Sequence, residues 1–264
     1  MKKFTLVAFL VFLSIVVFAQ KPVRFGVYVG EANPMGNIAD GEKLDKTVLA
    51  PYRDFSKWAF LSETASQGYV GVGGSVGFDV TYVLPVKGLG VFCGIDYFLN
   101  TFQSEITDAF SNWQTEEEKL SGVKSFDYSL PYFMNLPILL GVNYQYNFNN
   151  IVGIFGEAAV GPNFRLVSDY QTKKEYANSF PTETTKIEYD AATTLGFKVG
   201  AGVMMWDKMS IVLDFYSLGS AKLEGKYSCE SNSDDKGKVT IEKDYKGENA
   251  LSASELVVRV GYHF

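Results

Sequence analysis

Glu255-Leu256-Val257-Val258-Arg259-Val260-Gly261-Tyr262-His263-Phe264 alternates without a break. Leu256, Val258, Val260, Tyr262 and Phe264 fall on one side of an extended chain. Glu255, Val257, Arg259, Gly261 and His263 fall on the other. A helical period would scatter both sets, whereas a two-faced strand sorts them. The same period recurs upstream at Val70-Val72-Val76-Phe78-Val80-Tyr82, Val91-Cys93-Ile95-Tyr97-Leu99 and Ile138-Leu140-Val142-Tyr144-Tyr146. It returns at Val152-Ile154-Gly156-Ala158-Val160, Leu195-Phe197-Val199-Ala201-Val203-Met205 and Ile211-Leu213-Phe215. With residues 23–30 this predicts eight strands. Pro137 cannot donate to a ladder and predicts a bulge.

The connections alternate as well. Pro85 to Gly88, Asn147 to Asn150 and Asp207-Lys208 are tight-turn sequences, and between them lie polar stretches near 31–67, 104–125, 167–188 and 225–249. Long and short connections in turn describe an up-and-down antiparallel barrel with both chain ends on the short-turn side. Residues 238–245 alternate weakly, as an extension of the last hairpin would.

Alternation alone also suits a soluble, lipocalin-like barrel. Glycine placement separates the two. Thirteen strand glycines, Gly26, Gly77, Gly200 and Gly261 among them, fall on the polar face, and only Gly74 and Gly156 on the apolar one. Glycine weakens a strand and covers nothing, so a water-facing surface has no use for it. A crowded lumen does. Charge agrees: residues 31–67, 104–125, 167–190 and 222–250 hold 15 basic and 23 acidic residues, leaving seven of each in the rest of residues 20–264. Fourteen charges are too few to solvate a whole outer wall, so the apolar face is expected to meet lipid, with Cys93 on it.

Residues 1–19 read as a secretory signal peptide: Lys2 and Lys3, an apolar run from Phe4 to Phe18, and cleavage after Ala19. Residues 20–264 are then the barrel. The terminal strand resembles the C-terminal signature of bacterial outer-membrane barrels, which implies that Val260, Tyr262 and Phe264 serve as an insertion signal read by the barrel-insertion machinery. Leu130 to Tyr146 resembles the fourth strand of small Bacteroidetes-type barrels, the PorT-like and OmpA-like families, and a leader ending Ala19-Gln20 is similar to theirs. The resemblance implies an outer-membrane location, contact with lipid and lipopolysaccharide, and an envelope partner, with secretion or gliding assembly as one setting.

The register points Arg24, Asp79, Asp96, Glu157, Lys198, Asp214 and Arg259 inward, together with Tyr28, Phe92, Phe98, Phe155, Met204 and Trp206. Four acids and three bases nearly balance, which predicts an ion-pair network plugging the lumen rather than separate charges along a wet channel. The expected function is therefore non-enzymatic, structural or interactive through the acidic loops, with a narrow porin-like channel as the alternative. His263 is the only histidine and is expected at the short-turn rim, away from where lipid chemistry would need a general base. Two cysteines and one histidine leave no zinc or iron site and no cofactor set, no pair among the many loop acids stands out as a catalytic couple, and Cys93 and Cys229 are not placed to pair. Gly71 to Gly77 lies inside a strand with no following helix, so it is not a nucleotide loop. A net charge of −6 without a basic cluster excludes nucleic acid as a partner. The runs Glu116-Glu117-Glu118 and Asp234-Asp235 read as solvated surface before cation sites, and Trp58 and Trp113 mark loop surfaces.

Overall fold

The computed structural model describes residues 23–41, 60–120, 122–177, 182–233 and 237–264. The expected leader (residues 1–19), Trp58 and Asp234-Asp235 lie outside them. Among the described residues eleven strands and one helix follow in chain order. They are β1 (Val23–Met35), β2 (Val70–Val83), β3 (Leu89–Phe102), α1 (Ser104–Glu118), β4 (Val123–Ser129), β5 (Phe133–Asn147) and β6 (Val152–Val167). The rest are β7 (Tyr170–Tyr176), β8 (Thr182–Tyr189), β9 (Ala192–Met205), β10 (Met209–Ser233) and β11 (Gly237–His263).

Eight of the strands close on themselves in the order β1-β2-β3-β5-β6-β9-β10-β11, all antiparallel. Closure is made where the sequence alternates most strictly: β11 pairs with β1 from Gly26↔His263 to Met35↔Ser254, and with β10 from Met209↔Tyr262. A closed ring leaves no unpaired edge within it. The expected eight-stranded antiparallel barrel is the fold.

Three strand-level expectations need correction. Val70 is buried rather than outward, because the β2–β3 ladder slips between Val70 and Gly73 and reverses the faces beyond the slip. Pro137 makes no bulge: Phe133↔Val167 and Asn147↔Gly153 belong to one register, with the ladder lapsing between Pro137 and Leu140 and then resuming in step. A missing N–H costs a ladder bond without requiring an extra residue. Trp206 points out, not in. Trp206 and Asp207 both take φ of 53°, the mirror-image hairpin turn, so alternation stops at Met205.

The described residues of the long connections build regular elements. β10 and β11 run for 25 and 27 residues, and their far halves leave the ring as one hairpin, with Tyr227 opposite Lys243 and Gly225 opposite Tyr245. Beyond the ring the β10 extension gains β8, then β7, then β4. Helix α1 lays Ile106, Phe110 and Trp113 at helical spacing on one side. Phe110 meets Tyr128 and Tyr170 at ring-centroid distances of 5.3 and 6.1 Å, and Trp113 meets Phe126 at 4.6 Å. Its acidic C-terminus opposes the helix dipole. Two of those carboxylates are engaged by ammonium groups, Glu116 by Lys119 at 2.7 Å and Glu117 by Lys174 at 2.5 Å.

Candidate functional site in the barrel lumen

Alternation sends every second residue of each ring strand inward, and register decides which of them share a level. Gly26 lies opposite Asp79, Gly77 opposite Asp96, Gly200 opposite both Asp214 and Glu157, and Gly30 opposite Arg259. Each charge thus faces a neighbour with no side chain. A Cβ on Gly77 would overlap the Asp96 carboxylate, and one on Gly200 that of Asp214.

Arg259 is the hub of the network those spaces admit. Its Nη1 donates to Asp96 at 2.7 Å, its Nη2 to Glu157 at 3.3 Å and its Nε to Asp214. The Lys198 ammonium pairs with Glu157 and lies 3.9 Å from Asp214. Aromatic faces flank both cations, Tyr28 at 4.3 Å from the Arg259 guanidinium and Phe92 at 5.5 Å from the Lys198 ammonium. Phenols occupy remaining carboxylate oxygens: Tyr28 donates to Asp79 at 2.6 Å and Tyr216 to Asp96 at 2.8 Å. Lys198 and Arg259 side chains are each 3% exposed, a degree of burial that charged groups tolerate only when paired and hydrogen-bonded.

Five of the seven expected lumen charges therefore meet in ion pairs, Asp96, Glu157, Lys198, Asp214 and Arg259, and Asp79 is tied to them through the Tyr28 phenol. Arg24 does not join them. It pairs across the ladder with Thr81, a level nearer the short turns than Asp79, and donates instead to Gln145 at 2.8 Å. The girdle thus sets four acids against two bases, not three, with tyrosine hydroxyls supplying the remaining donors.

Above the girdle, toward the long connections, the lumen holds residues that the sequence reading left out. Glu255 and Tyr216 are fully buried, and Arg165 donates from Nη1 to Leu251 O at 2.7 Å and from Nη2 to Gly219 O at 2.9 Å. Asn163 donates to Asn135 at 3.0 Å and to Leu218 O at 3.2 Å. Counting in twos from Glu157 reaches Asn163 and Arg165, so continued alternation was the available signal. A hydrophobic cluster including Ile38, Phe60, Val70, Phe102, Ile106 and Phe133 then covers that end.

His263, at the short-turn end, lies 3.0 Å from Ser210 and packs edge-on to Tyr28. Tyr28, Phe92, Phe98, Phe155 and Met204 are buried. Outside, Val29, Val76, Leu140, Val199, Leu213 and Val258 are exposed, with Tyr82, Tyr144, Tyr146, Trp206, Tyr262 and Phe264 near the short turns. An apolar wall with aromatics at its margin is a lipid-facing surface. Val260, Tyr262 and Phe264 stand on that wall, and Cys93 is exposed there as a free thiol. Cys229 is also free, on the β10 extension.

No family model matches the chain, and no curated protein matches it. Among solved structures it is similar to small outer-membrane β-barrel proteins. A major outer membrane protein of Thermus thermophilus is 13% identical with a TM-score of 0.40, over 92% of this chain and 100% of that one. Neisserial surface protein A is 10% identical with a TM-score of 0.37, over 92% and 97%. OprG of Pseudomonas aeruginosa is 14% identical with a TM-score of 0.33, over 92% and 94%.

Proposed function

We propose that this chain is a non-enzymatic integral outer-membrane protein whose lumen is plugged and whose function resides in the long acidic connections. The observation that carries this reading is the Arg259 hub. One guanidinium engages Asp96, Glu157 and Asp214, which sit on three other strands, and so ties the waist of the barrel together. Opening a path would separate charges already removed from water, and the hydrophobic cluster would have to part as well.

In this reading residues 1–19 are a cleaved leader, and Val260, Tyr262 and Phe264 are presented to the barrel-insertion machinery. Outer-membrane lipid and lipopolysaccharide surround the wall, and an envelope protein meets the extension of β4, β7, β8, β10 and β11. Kinship with PorT-like or OmpA-like barrels, and a secretion or gliding setting, rest on the resemblance of the Leu130 to Tyr146 stretch and the terminal strand.

Single-channel recording of the refolded chain in a planar bilayer, beside Arg259→Ala, tests the plug. The expected result is silence from the wild type and conductance steps from the variant. Steady open steps in the wild type would overturn the plug and assign the barrel as a narrow porin-like channel.

A further inference from the structure

The short-turn end of the lumen is hollow. A cavity of about 160 Å³ opens there, bounded by Arg24, Lys87, Gln145, His263, Phe155 and Glu157 among others. Its acid is already engaged, because Glu157 pairs with Lys198 and Arg259 at the cavity's inner end. Its cations are not. Among the described residues neither Arg24 nor Lys87 has a carboxylate within 4.0 Å, and Arg24 spends one nitrogen on the neutral Gln145 amide. Gln145 and Asn147 are themselves oriented by Asp207, to which they donate at 2.9 and 3.2 Å, so the rim acid is occupied by neutral donors. Phe155 and Met204 supply apolar wall beside this cationic rim.

A partly buried guanidinium with free donors beside a hydrocarbon wall suits an anion that carries a small apolar body. We propose that this vestibule binds an organic carboxylate, its head on Arg24 with Lys87 adding attraction from the rim, and its apolar part against Phe155 and Met204. Two sources share that chemistry, a free small carboxylic acid and the C-terminal carboxylate of a polypeptide reaching in from the short-turn side. The site does not depend on whether the lumen conducts.

The chain's single histidine lines the cavity, so its imidazole resonances report occupancy without ambiguity. The tag-free refolded protein in a non-ionic detergent is titrated with N-acetyl-alanine, with its amide, and with a tripeptide bearing either a free or an amidated C-terminus. Saturable shifts of the His263 resonances are expected with the free acids and not with the amides. Arg24→Gln should weaken binding about tenfold or more and Arg24→Lys should restore part of it. Lys87→Gln, at an exposed position, should weaken it about two- to fivefold. Heat-modifiable gel mobility confirms that each variant is folded. A tripeptide that binds much more tightly than N-acetyl-alanine identifies the polypeptide source, and equal affinity identifies the free acid. No saturable shift, equal binding of the amides, or unchanged binding to folded Arg24→Gln would each overturn the proposal.

Discussion

Gly200 on β9 stands directly opposite Asp214 on β10, and the space its missing side chain leaves is the space the Asp214 carboxylate fills. The most buried acid of the girdle therefore owes its position to a glycine on the neighbouring strand. The same relation holds between Gly77 and Asp96. Lumen glycines in this barrel act as sockets for charge.

Replacing a socket should be costly where replacing an outward glycine is not. Gly200→Ala is expected to destabilise the barrel by about 1–3 kcal/mol through overpacking. Gly156→Ala, whose Cβ would meet nothing nearer than Gly200 O at 3.7 Å, should stay within about 0.5 kcal/mol of wild type. Urea midpoints of the refolded variants decide it. Equal losses at the two positions would remove the distinction between lumen and lipid glycines.

Lys198 holds Glu157 and faces Asp214 in a dry interior. Lys198→Met should cost about 3–5 kcal/mol, since it strands buried carboxylates. Adding Glu157→Gln should return part of that loss, with a coupling of about 0.5–3 kcal/mol in a double-mutant cycle. Strict additivity would mean that the pair does not interact as the geometry requires.

Val258 and Val239 are similarly exposed valines of β11, 51% and 54%, one on the ring and one on the extension. An arginine in place of Val258 should cost about 2–4 kcal/mol in a bilayer, because that face meets hydrocarbon. At Val239, above the membrane, the same change should be nearly neutral. Folding yield into vesicles across a urea series separates the two, and a tolerated Val258→Arg would reverse the assignment of faces.

On the extension, burial raises the Tyr189 and Tyr245 phenols above their ordinary value near 10.0, and Tyr189 also donates to Phe60 O. A phenol kept neutral in the folded state and free to ionise in the unfolded one stabilises fully below the unfolded pKa. That stabilisation is lost as pH climbs past it toward the folded value. The extension should accordingly loosen above about pH 10 while the ring persists. Ultraviolet absorbance of tyrosinate, followed beside circular dichroism, should show late-titrating phenols, Tyr189 and Tyr245 among them, whose ionisation coincides with loss of extension structure. Ionisation of all tyrosines together near pH 10, with no structural change, would contradict this.

What was legible in the sequence is what a local period can carry. Alternation from Glu255 to Phe264 and its recurrences specify strands, count them and sort each into two faces, because successive side chains of a strand point to opposite sides whatever lies beside it. Glycine on the charged face then marks that face as the crowded one. Height is different. Which inward charges share a level depends on inter-strand register, and register belongs to pairs of strands rather than to either sequence. Arg24, the one inward charge set apart by its closeness to a strand end, was counted into the charge balance yet takes no part in the girdle, and Tyr216 and Tyr28 could not be recognised as the donors that replace it. The same holds where alternation stops: the slip beyond Val70 and the mirror-image turn at Trp206 and Asp207 each invert or end a face through backbone conformation that side-chain pattern does not record. The extension needed tertiary contact most of all, since the short, polar β4, β7 and β8 become a sheet only when the overlong β10 offers its edge above the ring.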